Sequence, residues 1–485
     1  MRLSRLAQLD EVCRTLQEAA EYIQENENLP LCQELVQNGI QMLEQIDDIL
    51  QQHQADWKSA DPMERLEQVR AAWHTPLPPE VSEQLQELRR SLREDIAIQI
   101  RAVFFAELGG KWDSMDSVYW YMRNDPRFDP VVVLTPIFRA LQVDGETKSE
   151  VIYEDYLTEK GIPFYNYWDY SPEQDCPELA FTCQPYESVT LPEFWAENIA
   201  KYTRLVYLPY FVPYIMYYNS RETLCQLRIY SYAWRIAASS EKFARYYTKY
   251  SLCQGMNLMV TGIPKMDYVV NLKKAPCEIP QEWQSKIKGR TVILWNTWFD
   301  GNFSSWDMLE QLVPWFLEHQ DYALVWRPHP MSKVVIKLYC PDQYPKFEKL
   351  MDAVRNADNM VLDDKAEYGP SFVCSHAQIS DFSSMMTQYL LMDKPLLWIQ
   401  RPGKSLVMEE HEEQMVSHSW MENGVTVADV IAFIERIGRG EDQNRMLRAE
   451  VQAQDLSMAD GKAAERICET VWKDLYSEVL EYYKN

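Results

Sequence analysis

Ile96-Ala-Ile-Gln-Ile-Arg-Ala-Val-Phe-Phe105, then Gly109-Gly110, then Ser114 to Arg123, then Pro130-Val-Val-Val-Leu-Thr135 is the stretch whose reading decides the fold. The first run is rich in β-branched and aromatic residues and reads as a strand. The glycine pair makes a turn, Ser114 to Arg123 reads as a helix, and Pro130 to Thr135 is a second strand. Strand, loop, helix and strand within about 40 residues form a parallel α/β unit. Glu178-Leu-Ala-Phe-Thr-Cys183 and Leu205-Val-Tyr-Leu208 continue as strands, and the alternation runs on to Met259-Val-Thr-Gly262.

Asn271 to Gly289 is polar, contains Lys and Pro, and reads as a linker. The alternation then restarts with Thr291-Val-Ile-Leu-Trp295 as a strand, Trp306 to Glu318 as a helix and Tyr322-Ala-Leu-Val-Trp326 as a strand. Phe347 to Arg355 reads as a helix, Asn359-Met-Val-Leu362 and Ala377-Gln-Ile-Ser380 as strands, Ser383 as a helix start, and Leu396-Leu-Trp-Ile399 as a strand. The chain therefore divides into a helical extension (1–95), an N-terminal α/β domain (96–270), a linker (271–289), a C-terminal α/β domain (290–440) and C-terminal helices (441–485). Two doubly wound domains facing each other place a ligand in the cleft at the carboxyl ends of their strands.

In the extension, Leu6, Leu9, Cys13, Leu16, Ala20 and Ile23 recur at steps of three and four, the spacing of one apolar helix stripe. After Asn28-Leu-Pro30, a second helix carries Val36, Ile40, Leu43, Ile46 and Leu50 on one face. An antiparallel hairpin is the plain reading; a coiled coil through which two chains associate is the alternative.

The totals narrow the function. Of 485 residues, 46% are hydrophobic and 25% charged, the balance of a globular chain. A net charge of −25 removes the clustered cations that nucleic-acid binding needs and any general attraction to anionic lipid. No secretory apolar core opens the chain, and the run Leu205 to Tyr218 is too short to span a bilayer and contains Pro209 and Pro213. The expectation is a cytoplasmic protein, with peripheral attachment at the inner face of the membrane left open. Ten cysteines without a Cys-x-x-Cys pair point to free thiols and no zinc. Neither a dinucleotide fingerprint nor a P-loop motif occurs.

Four strings carry the chemistry. In Ile379-Ser-Asp-Phe-Ser-Ser-Met385 a strand ends at Ser380, Asp381 takes the cap position, and Ser383 and Ser384 occupy the first helical turn, where N–H groups and hydroxyls hold an anionic oxygen. In Trp326-Arg-Pro-His-Pro330, Arg327 suits a phosphate clamp, and His329 suits hydrogen bonding to a leaving phosphate or shuttling a proton. Gly262-Ile-Pro-Lys-Met-Asp267 is a turn leaving the first half; Gly262 and Lys265 either line the nucleotide cleft or belong to an ordinary turn. The loop Glu107 to Ser117 offers Glu107, Lys111, Asp113, Ser114 and Asp116 either to an acceptor or, for Asp113 and Ser114, to helix capping.

In this order the strings resemble the CDP-glycerol glycerophosphotransferase-like family of teichoic-acid enzymes, which have the GT-B fold. The resemblance covers about residues 96 to 440. It is most specific at Arg327-Pro-His-Pro330 and Asp381-Phe-Ser-Ser-Met-Met386 with Asp393-Lys-Pro395. Lys111 to Val118 and Leu205 to Val212 resemble a Firmicute branch of the family. The resemblance implies that His329 stabilises charge on a nucleotide diphosphate and that the turn of Asp381, Ser383 and Ser384 binds its phosphates, the two serines holding the oxygens. The implied donor is CDP-glycerol or a similar CDP-alditol, the acceptor a glycan or polyol phosphate, and no metal or further cofactor is expected. Family members carry a second histidine, in a Trp-His-Gly motif, suited to act as base. Here no histidine lies between His74 and His319, so Asp113, Glu107 and Asp116 become the candidates, and Gln388 stands where relatives often place an acid. Two alternatives are a GT-B glycosyltransferase using a nucleotide sugar for capsule or glycoconjugate synthesis, and a non-catalytic scaffold that recruits partners through its N-terminal helices.

Overall fold

The computed structural model describes residues 1–26, 29–143, 146–153, 155–211, 225–299, 304–381, 383–400 and 416–481. It contains two parallel sheets with helices on both faces, so the chain is α/β with two Rossmann-like domains and a helical extension. The strands are β1 (Ile100–Ala106), β2 (Phe128–Leu134), β3 (Ile137–Val143), β4 (Glu146–Ile152), β5 (Phe164–Asn166), β6 (Leu179–Thr182), β7 (Arg204–Tyr207), β8 (Arg235–Ala238) and β9 (Leu258–Val260) in the first half. The second half holds β10 (Thr291–Thr297), β11 (Tyr322–Pro328), β12 (Met360–Leu362), β13 (Ala377–Ser380), β14 (Leu396–Ile399) and β15 (Glu422–Gly424).

The first sheet runs β5-β2-β1-β6-β7-β8-β9 and the second β12-β11-β10-β13-β14-β15; the hairpin β3–β4 stands apart. Every pairing within the two large sheets is parallel. Each sheet winds outward in one direction from its first strand and then returns to start in the other. That places a crevice between β1 and β6 and a second between β10 and β13, where a doubly wound sheet binds its ligands.

Four differences from the sequence reading have physical reasons. β1 begins at Ile100, because Ile96 bridges Trp57 and Gln99 bridges Arg2 at the base of the extension. The first helix of the unit starts at Asp116, after a separate turn at Gly109–Trp112. Within 271–289, the first residues finish the helix Pro264–Lys274 and a second helix covers Gln281–Ile287. On the second helix of the extension the buried position is Gly39, while Ile40 is 37% exposed. The Trp73 indole lies where a Gly39 side chain would begin, and its Nε1 donates to the Val36 carbonyl at 3.1 Å. The part of the Leu205–Tyr218 run beyond residue 211 lies outside the described residues.

The extension comprises helices Leu3–Glu25, Pro30–Gln52, Asp61–Ala72 and Val81–Glu94. The stripe Leu6, Leu9, Cys13, Leu16, Ala20 and Ile23 is covered within the chain by neighbouring helices. An intermolecular coiled coil on that stripe would need surface that is already spent. The extension docks at the N-terminal ends of the first sheet: Gln99 donates to the Met1 carbonyl, and Arg2 pairs with Glu178 just before β6. It therefore sits at the edge opposite the crevices.

At its centre Asp10, fully buried, accepts from Arg89 (2.9 and 3.2 Å) and Arg93 (2.9 and 3.1 Å), clamping the first helix to the fourth. Among the described residues no helix is long and apolar enough to cross a membrane. Asp10→Ala strands two guanidinium groups in a largely dry site. It is expected to destabilise the extension by about 3 kcal/mol, read as an earlier urea transition; an unchanged midpoint refutes the clamp.

Candidate functional site

Parallel register brings the donor-half strings together. Asn296 on β10 lies opposite Arg327 on β11 and Ser380 on β13, so both strings leave the sheet on either side of one strand end. Past the strand, the His329 N–H donates to the Thr297 carbonyl at 3.0 Å. The ring Nδ1 of His329 accepts from the Met331 N–H at 3.1 Å. In the neutral ring the proton is therefore on Nε2, which becomes the donor. Trp298 and Phe299 pack against the imidazole with ring centroids 5.5 and 5.1 Å away. Sequence reading missed this aromatic pair, although both residues directly follow the apolar strand β10.

Asp381 does not cap its own helix. It is buried and accepts from the Trp298 N–H (2.8 Å), the Ser305 N–H (2.6 Å) and the Ser305 hydroxyl (2.9 Å). Both carboxylate oxygens thus shape the loop after β10. The helix that follows is Met385–Leu390, with Ser384 at its N-cap position and no side-chain cap bond. Ser383 and Ser384 are half-buried, and the Met385 N–H donates to Ser383 Oγ at 3.2 Å. Phe382 lies outside the described residues. A helix this short has little macrodipole, so any anion held here relies on local hydroxyl and N–H groups.

Arg327 likewise departs from the expected phosphate clamp. Its guanidinium pairs with Asp363 at 2.6 Å and donates to the carbonyls of Ala366 (3.0 Å) and Glu367 (3.3 Å). Asp363 is fully buried and also accepts from the Ser371 hydroxyl. What Arg327 holds is the loop 363–368. That loop reaches the other half: Glu367 pairs with Lys160 (2.6 Å), and the Tyr368 hydroxyl donates to Asp113 (2.8 Å). The result is a latch running from a residue beside His329 to the acceptor-side loop.

In the first half, Asp113 receives Lys265 Nζ at 2.7 and 2.8 Å, and the same ammonium lies 5.6 Å from the Tyr368 ring centre. Lys265 is thus paired within the first half, beside the Tyr368 ring of the second, and is no nucleotide ligand in this arrangement. Gly262, at φ +80°, allows the Met458 carbonyl to approach within 2.7 Å of where a Cβ would stand. Asp267, 1% exposed, accepts the N–H groups of Ala463 and Ala464, both at 3.1 Å. Gly262 and Asp267 therefore dock the C-terminal segment that leads into the helix Ala463–Glu481, while Lys265 of the same string turns toward Asp113.

Glu107 is buried, with Lys111 on one oxygen (2.9 Å) and the Gln184 amide on both (2.8 and 3.1 Å). Gln184 follows β6, so this cluster fills the crevice of the first sheet; sequence reading did not select it. Ser114 is fully buried, and its hydroxyl has no partner among the described residues, which removes it from the acceptor surface. Asp116 heads its helix and accepts from the Trp112 indole at 2.5 Å; burial raises its pKa, opposed by that bond. Gln388 is buried, with both amide atoms unpartnered among the described residues.

Asp393-Lys-Pro395 is architectural. Lys394 donates to the carbonyls of Phe372 (2.7 Å), Val373 (3.1 Å) and Ser375 (2.6 Å), and burial lowers its ammonium to about 8. Among the described residues no cluster of three or more His, Cys, Asp or Glu side chains gathers to hold a metal.

The latch predicts energetic coupling between residues that do not touch. Arg327→Gln and Tyr368→Phe are each expected to destabilise the protein, Tyr368→Phe by about 1 kcal/mol. The double variant should fall short of the sum by at least about 0.5 kcal/mol. Strict additivity in a urea-denaturation cycle breaks the latch.

The model of the family described as CDP-Glycerol:Poly(glycerophosphate) glycerophosphotransferase matches residues 216–473, more than half of the chain. No curated protein matches. Among solved structures, MnaA from S. aureus with UDP aligns at 12% identity and TM-score 0.52, covering 78% of this chain and 98% of that one. A UDP-GlcNAc 2-epimerase from Neisseria meningitidis bound to UDP-GlcNAc aligns at 13% and 0.51, covering 77% and 100%. A variant of the wall teichoic acid polymerase TagF with CDPG aligns at 13% and 0.51, covering 87% and 99%. At such identities these likenesses establish the fold, two Rossmann-like domains of the GT-B kind. The family match reaches from the first half, through the Arg327–His329 and Asp381–Ser384 strings, into the C-terminal helix, and the chain belongs to the CDP-glycerol:poly(glycerophosphate) glycerophosphotransferase family.

Proposed function

We propose that the protein transfers glycerol phosphate, or a similar alditol phosphate, from CDP-glycerol to a hydroxyl of a glycan or polyol-phosphate acceptor in cell-envelope polymer synthesis. The observation that carries this reading is His329 at the crevice of the second sheet. Its Nδ1 is committed to the Met331 N–H, its ring is braced by Trp298 and Phe299, and the Ser383–Ser384 turn lies beyond the neighbouring strand end. Nε2–H donates to an oxygen of the donor diphosphate as charge builds on the departing CMP. The Ser383 and Ser384 hydroxyls steady the other phosphate oxygens. Asp381 positions the Trp298 side of the site through the backbone, and Arg327 sets the loop that closes the cleft.

Phosphoryl transfer needs little covalent help from a protein; placement and electrostatic support supply most of the rate. Purified protein with CDP-glycerol and a polyol acceptor is expected to release CMP. His329→Ala should lower kcat by about 10²–10³-fold while leaving the thermal melt unchanged. Equal rates for both proteins remove His329 from the reaction, and calorimetric binding of UDP-sugars without CDP-glycerol replaces the donor.

A further inference from the structure

We propose that the cavity between the two halves holds the terminal polyol unit of the acceptor and that Asp116 is the base that takes the proton of its attacking hydroxyl. This rests on the transfer reaction above and names the group that stands in for the absent acceptor-half histidine.

The cavity measures about 40 Å³ and is lined by Gly110, Trp112, Asp116 and Lys160 from the first half and by Glu367 and Tyr368 from the second. A water needs roughly 10–15 Å³ of such space, so the cavity admits about three waters or a small hydroxyl-bearing group of similar size. Carboxylates and a lysine beside aromatic rings are the lining that hydroxyl-rich ligands use. Gly110, exposed, lies at the rim of the cavity, and a side chain there would meet nothing within 4 Å. Its far wall is the 363–368 loop, anchored on Arg327 beside His329.

Three carboxylates compete for the role of base, and their contacts separate them. Asp113 gives both oxygens to the Lys265 ammonium and one also to the Tyr368 hydroxyl. Glu107 is buried under Lys111 and Gln184. Asp116 faces the cavity and is held by an indole N–H of Trp112, a neutral donor that orients a carboxylate without neutralising it. Burial raises its pKa above the ordinary carboxylate value, opposed by the Trp112 bond and by the charge of Lys160. The charged groups around it are Lys160, Asp113 and Glu367.

In the step, the acceptor oxygen bonds to the glycerol-bearing phosphorus of CDP-glycerol and its proton passes to an Asp116 oxygen. The bond from that phosphorus to the bridging oxygen breaks, and its electron pair leaves with CMP. Asp116 then returns the proton to solvent.

Glycerol serves as the acceptor probe. Asp116→Asn is expected to lower glycerol-dependent CMP release about 10²–10⁴-fold, to flatten the rise of kcat with pH, and to leave the KM for CDP-glycerol within about twofold; Asp116→Glu should recover part of the rate. A wild-type rate in Asp116→Asn overturns the assignment. Saturation-transfer NMR with glycerol reads the cavity without turnover: transfer should occur with the wild type and vanish in Gly110→Leu. Equal transfer in both proteins, or none in either, overturns the site. Calorimetry with CDP-glycerol reports separately on the donor reading, because failure to bind the donor sinks the transferase while leaving the glycerol result interpretable.

Discussion

Asp267 is the point on which the two-domain arrangement turns. It sits in the first turn of the helix Pro264–Lys274 in the first half, almost wholly removed from water, and accepts the first N–H groups of a helix that the chain reaches only after completing the second half. Burial raises its pKa, and the two backbone bonds oppose that rise by stabilising the charged form. Gly262 makes the approach feasible, because its positive φ and missing side chain let the Met458 carbonyl come close. With the helix capped there, Ile467, Cys468, Val471 and Leu475 are buried against the first domain and the extension. One continuous apolar cluster then includes residues of the extension, the first sheet and the second. The cleft is framed by this return of the chain as much as by the linker.

On the opposite side of the cleft the latch performs a complementary task. Arg327 and Asp363 form a buried pair, which contributes modest net stability but is costly to break from one side. Its value lies in geometry: the pair holds a loop whose Glu367 and Tyr368 reach Lys160 and Asp113. Lys265 meets the same Asp113, so one carboxylate joins a helix of the first half to the Tyr368 loop of the second. A change beside His329 has a continuous physical route to the loop that carries Asp116. The motif residues thus divide into those left at the strand ends beside the cleft and those that hold the walls in place.

Much of the architecture was legible in the sequence. The alternation that opens at Ile96, the break near the linker and the restart at Thr291 correspond to the two sheets, because alternating apolar runs and helical periodicity are local consequences of burial. Strand ends and helix starts moved by a few residues where another segment intervened, as when the extension took Ile96 and Gln99 away from β1. Ile40 and Gly39 exchanged roles because an apolar stripe cannot anticipate an indole from another helix.

The roles of the polar residues were not legible in the same way. Arg327, Asp381 and Lys265 were read as ligand-binding groups because charged residues after strands usually face a site. Their partners lie 36, 83 and 152 positions away in the chain, at Asp363, Trp298 and Asp113. A charged side chain leaves water only where a partner awaits it, and such partners are assigned by the packing of whole domains. By itself the sequence determined the α/β class, the two halves and the strings that end on the strand tips, since periodicity and turn chemistry act over a few residues. Only the tertiary structure decided which of those strings face the cleft and which lock the halves together, because that choice depends on distant carboxylates and carbonyls meeting each charge.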